Sequence, residues 1–74
     1  MNMYDPQLRV FEIDRLPDGQ YVMIEGIPPG VERFDTVKLT TKYPRLMYPA
    51  CVVDLCEDNN FLWLSFDRLG SLWA

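Results

Sequence analysis

Cys51 and Cys56, with the carboxylates Asp54, Glu57, Asp58 and Asp67, are the side chains of this sequence whose types best suit chemistry. A thiol becomes a useful nucleophile when a neighbouring imidazole or cation takes its proton, and the chain holds no histidine. A structural zinc site takes four ligands, usually Cys and His, so two cysteines alone do not make one. Five positions apart in a run that reads as a strand, the two thiols are expected on opposite faces, where they cannot form a disulfide. Hydrolysis by paired carboxylates needs two acids at a fixed separation across a cleft, and 74 residues leave little chain for a cleft. These residues argue against an enzyme, a metal or any other cofactor.

What the chain holds in quantity is aromatic anchors: two Trp, four Tyr and four Phe. Large rigid side chains and arginine dominate binding energy at protein interfaces. The first candidate contact surface is therefore Tyr43-Pro44-Arg45-Leu46-Met47-Tyr48-Pro49, read as a connection. It offers Tyr43, Arg45 and Tyr48 as anchors and Met47 as an adaptable apolar group, while its prolines limit the entropy lost on fixing it. The competing expectation is that Leu46, Met47 and one tyrosine close an open end of the fold. A second candidate is the basic row Arg33, Lys38, Lys42 and Arg45, opposed within residues 33–49 only by Asp35. Its plainer reading is a solvated face, or lysines that guard a sheet edge. A third is the tail, where Leu69, Leu72 and Trp73 have the i, i+3, i+4 spacing of one helical face. The acids around residues 54–67 are too sparse for convincing imitation of a phosphate row.

The net charge is −4, which disfavours broad nucleic-acid binding. No apolar run approaches the roughly 20 residues of a membrane-crossing helix, and Met-Asn-Met-Tyr-Asp-Pro lacks the regions of a signal peptide. A cytoplasmic, monomeric protein is expected. The function that fits best is a small non-enzymatic protein that binds a large macromolecular machine and inhibits or redirects it by contact. A phage-type regulator of host RNA polymerase, or of another host nucleic-acid enzyme, is the form expected. Two alternatives stand beside it. One is a single-stranded nucleic-acid binder, using the basic middle with Tyr43 and Tyr48 as stacking platforms. The other is an assembly subunit of a larger complex.

The elements that must carry these residues are short. Leu8–Arg15 has mixed parity, which fits a strand buried on both sides, a bulge or a helical turn. Pro17-Asp18-Gly19 is a strong turn signal, and Gln20–Ile27 reads as its hairpin partner. Pro28-Pro29-Gly30 ends that strand. Phe34–Lys42 alternates, with Val37 and Leu39 inward and Thr36, Lys38 and Thr40 outward. Ala50–Glu57 and Phe61–Asp67 read as a hairpin about Asp58-Asn59-Asn60, where Asn tolerates the left-handed conformation. Short strands with Gly/Pro turns predict an all-β fold: a small bent antiparallel sheet or barrel, SH3-like or OB-like, of four to five strands. One domain spans 1–74, with terminal arms at about 1–7 and 68–74.

Overall fold

The computed structural model describes residues 8–69 and the backbone of 71–72. The fold is all-β: β1 Val10–Ile13, β2 Tyr21–Glu25, β3 Thr36–Thr41, β4 Leu46–Cys56, β5 Phe61–Phe66 and β6 Ser71–Leu72. The main strands form one mixed sheet in the order β1-β3-β4-β5-β2, curled into a half-barrel, and β6 pairs with β4. No helical turn occurs among the described residues.

Alternation sorts the side chains into two faces. The core face carries Phe11 from β1, Val37 and Leu39 from β3, Tyr48, Ala50 and Val52 from β4, and Leu62, Leu64 and Phe66 from β5. Leu39, Val52, Leu62 and Leu64 are wholly buried. Burial of each such side chain contributes about 1.5–3 kcal/mol. Leu16, Ile27 and Val31 pack onto this face from the connections, so loops supply the cover that a second sheet would give a sandwich. Tyr48 and Phe66 meet edge to face, with ring centroids 6.4 Å apart.

Several expectations need correction. The Pro-Asp-Gly turn exists, with Gly19 at φ 106°, but it does not close a hairpin. β1 pairs in parallel with β3, Phe11 opposite Leu39, while β2 pairs antiparallel with β5, Met23 opposite Trp63. The segment 14–20 thus carries the chain from one edge of the sheet to the other. Thr40 keeps the expected outward parity, opposite Met47, yet it is buried there, and Thr41 is buried as well. Their hydroxyls donate to the carbonyls of Leu46 at 2.9 Å and Pro44 at 2.6 Å, which removes the cost of burying them.

The run 43–49 is not a loop, because β4 begins at Leu46. Pro49 fits inside this strand because its missing donor falls at a gap. Its neighbour Ala50 pairs with Phe66 at the end of β5, Met47 pairs with Ser71 of β6, and between them the Asp67 N–H donates to the Pro49 carbonyl at 3.0 Å. Ser71 and Leu72 extend as a strand, not as the helical turn expected there. Trp73 and most of the two expected arms lie outside the described residues.

A register shift between Val52 and Asp54 bulges β4. One extra residue reverses the alternation beyond it. Cys51 then stands opposite Ser65 and Cys56 opposite Phe61, two positions of like parity on β5. Both thiols therefore share the outer face, contrary to the expectation of opposite faces, and both are free.

Candidate protein-binding surface

The segment between Ile27 and β3 shows how local sequence presents one side chain. Gly30 takes φ 86° and turns the chain after two prolines. The next turn is closed by Asp35: its carboxylate accepts from Glu32 N–H at 2.9 Å, and its own N–H donates to the Glu32 carbonyl at 3.2 Å. Between them Phe34 is forced to φ 72°, a left-handed conformation that is an outlier for a bulky residue. Its N–H donates to the Val52 carbonyl at 2.6 Å, and Val52 N–H donates back to Asp35 at 3.0 Å. Arg33 bonds the Asp54 carboxylate at 2.7 Å. The backbone is thus held on both sides while Phe34 is 74% exposed.

Asp54 connects this turn to the outer face of the sheet. It lies opposite Trp63, and Trp63 lies opposite Met23. Trp63 meets Phe61 edge to face, with centroids 6.3 Å apart. Tyr21 is 56% exposed and Met23 44%. The outer face of β2 and β5 is therefore an aromatic strip, and Arg33, beside Phe34, reaches the end of the row Asp54–Trp63–Met23 through its bond to Asp54. Strands hold such side chains at fixed spacing, so little order remains to be gained on contact.

The residues expected from the sequence fall in several places. Met47 and Tyr48 are both buried. Tyr48 belongs to the core, so its ring is not available as an anchor. Met47 lines an apolar hollow of about 350 Å³ on the outer face, with Leu8, Lys38, Pro49 and Leu69. Tyr43 and Arg45 are exposed at the end of the β3–β4 hairpin. Tyr43 N–H donates to the Asp14 carbonyl at 3.1 Å, and the Arg15 guanidinium lies 5.7 Å from its ring centroid. The basic row is not one patch. Lys42 lies 3.5 Å from Asp14 and 4.0 Å from Glu12, Arg33 is paired with Asp54, and Lys38 is half-buried. Leu72 is placed only by its backbone pairing with Leu46.

Phe34, Tyr21, Met23, Phe61 and Trp63 were not among the sequence candidates. The parity of Tyr21/Met23 and Phe61/Trp63 carries a signal for the strip, but only once β2 is known to lie beside β5. No sequence signal marks the conformation of Phe34.

Among the described residues, no three Cys, Asp or Glu side chains converge as metal ligands. No helix among them is long and apolar enough to cross a membrane. No family model, curated protein or solved structure matches the chain.

Proposed function

We propose that this chain is a small recognition protein that docks on a large protein assembly and changes its activity by contact rather than by chemistry. The observation that carries this reading is Phe34: a mostly exposed aromatic ring on a strained, doubly hydrogen-bonded turn. Strain of this kind costs about 1–3 kcal/mol and clusters where a side chain is needed in one place. An aromatic ring so presented suits a pocket on a partner, with the strip of Tyr21, Phe61 and Trp63 as the surrounding contact. Tyr43 and Arg45 offer a further contact at the hairpin end.

The pairing of Lys42 and Arg33 with acids favours a protein partner over a phosphate backbone, since a cation already neutralised gains less from releasing counterions. The target we propose is the class expected from the sequence, host RNA polymerase or another host nucleic-acid enzyme. Chain size and aromatic content support it. The test is an affinity pull-down of tagged protein from cell lysate, with and without nuclease. A stoichiometric protein complex that survives nuclease and moderate salt supports the reading. Recovery only of nucleic acid, lost on nuclease treatment, overturns it in favour of direct nucleic-acid binding.

A further inference from the structure

β2 ends the sheet, and among the described residues no strand pairs with its outer side. Two backbone bonds fix which groups face that side: Phe66 N–H donates to the Gln20 carbonyl at 3.2 Å, and Gly26 N–H to the Asn60 carbonyl at 2.7 Å. In an antiparallel ladder the N–H and C=O of a residue point the same way and alternate along the strand. Gln20, Val22, Ile24 and Gly26 therefore turn toward β5. Tyr21, Met23 and Glu25 turn their backbone donors and acceptors outward.

Proteins keep such an edge from pairing with lysine, proline or a bulge. Tyr-Val-Met-Ile-Glu contains neither residue, and its register against β5 is unbroken. The opposite edge differs, because Arg9 of the β1 entry donates to the Pro29 carbonyl at 3.0 Å and ties the β2–β3 connection there. Among the described residues the β2 edge thus carries one charge, Glu25 at its end, and no lysine, proline or bulge.

We propose that this edge pairs with the same edge of a second copy of the chain, antiparallel about a two-fold axis at Met23. The outward groups set the register. Met23 faces the partner's Met23, and Tyr21 faces the partner's Glu25, so every outward donor and acceptor of the three residues is satisfied. The strand is self-complementary in charge as well. Glu25 meets a tyrosine hydroxyl, and the two Glu25 carboxylates stand about 13 Å apart along the seam, beyond the screening length of about 8–10 Å. Val22 and Ile24, half-buried in one copy, meet their counterparts on the core face. A two-fold contact of this kind is the commonest form of self-association. A five-residue seam is at the small end of specific interfaces, so the dimer is expected to be weak and to form within the micromolar-to-submillimolar range of protein concentration. The inference is independent of the partner reading, because it concerns the pure protein.

Sedimentation velocity from about 10 µM to about 500 µM tests it on the pure chain. The weight-average mass of the wild type is expected to rise with concentration from 8.7 kDa toward twice that value. Met23→Pro deletes an outward N–H without touching the β2–β5 ladder and is expected to stay monomeric. Met23→Lys places like charges face to face at the axis and is expected to weaken the dimer at least tenfold, as about 1.4 kcal/mol of repulsion would. Circular dichroism checks that each variant is folded, and if Met23→Pro is not, Met23→Lys decides. A wild type that stays monomeric throughout overturns the proposal. So does a dimer that folded Met23→Lys leaves intact.

Discussion

Replacing Phe34 by alanine and by glycine separates the backbone of its turn from its ring. Both variants remove the ring, so their difference reports the backbone alone. At an ordinary extended position alanine is favoured over glycine by about 0.5–1 kcal/mol, because glycine loses more freedom on folding. At φ 72° an L-residue carries a left-handed penalty of about 1–2 kcal/mol that glycine escapes. The sign therefore reverses: Phe34→Gly is expected to be more stable than Phe34→Ala by about 0.5–1 kcal/mol. In a domain of this size that separates the melting temperatures by about 2–8 °C. The ring itself contributes little. With 74% of the residue exposed, only about 50 Å² of an aromatic side chain is covered, or about 1 kcal/mol. Wild type and Phe34→Gly should thus lie close together in stability, which leaves stability no reason to prefer phenylalanine here. Urea titrations of the three proteins measure both differences. Alanine equal to or above glycine would refute the argument, because the strain on which the recognition reading rests would not be there.

Three further outcomes follow from the fold. Asn60 has φ 57° and accepts the Ile27 N–H at 3.1 Å, so Asn60→Ala should cost about 2 kcal/mol in a denaturant titration, and Asn60→Gly about half of that. Arg68 places Nη2 at 2.9, 3.2 and 2.5 Å from the carbonyl oxygens of Pro17, Asp18 and Gly19, and its guanidinium lies 5.5 Å from the Phe66 ring centroid. Arg68→Ala should cost about 1–2 kcal/mol and speed hydrogen exchange at the Phe66 amide, which donates to the Gln20 carbonyl beside this turn, with Arg68→Lys recovering only part, because an ammonium does not stack on the Phe66 ring as a planar guanidinium does. Leu64→Ala empties a wholly buried site and should cost about 2–5 kcal/mol, enough to leave a chain this short largely unfolded at 37 °C by far-UV circular dichroism.

The β4–β5 hairpin was legible because two local signals agreed: apolar runs on both sides of Asp58-Asn59-Asn60 and an Asn that accepts the left-handed conformation. Val37 and Leu39 were legible from the alternation over Phe34–Lys42. β1 and β2 were misjudged because proximity in sequence and a strong turn suggested a hairpin, whereas the sheet order is set by which faces can be covered together. Tyr43–Pro49 looked like a loop because prolines usually end strands. Pro49 escapes that rule only because β5 has stopped and β6 has not begun beside it, a fact of tertiary placement. Thr40 keeps the face that alternation assigned to it, but it is covered there, with its hydroxyl bonded to the Leu46 carbonyl. The two thiols moved to one face through a single bulge. For the candidate site the difference is sharper. Tyr43 and Arg45 emerged exposed, Tyr48 went into the core, and the anchor proposed here, Phe34, owes its position to an Asp35 cap and a bond to Val52 that no spacing in the sequence announces.

The most direct test of the recognition reading is a binding titration of the protein recovered by the pull-down against wild type and Phe34→Ala, with folding of the variant checked first. The account predicts a loss of about 2 kcal/mol or more, roughly 30-fold in affinity, as for the truncation of an interface anchor. A folded Phe34→Ala that binds with wild-type affinity would contradict it.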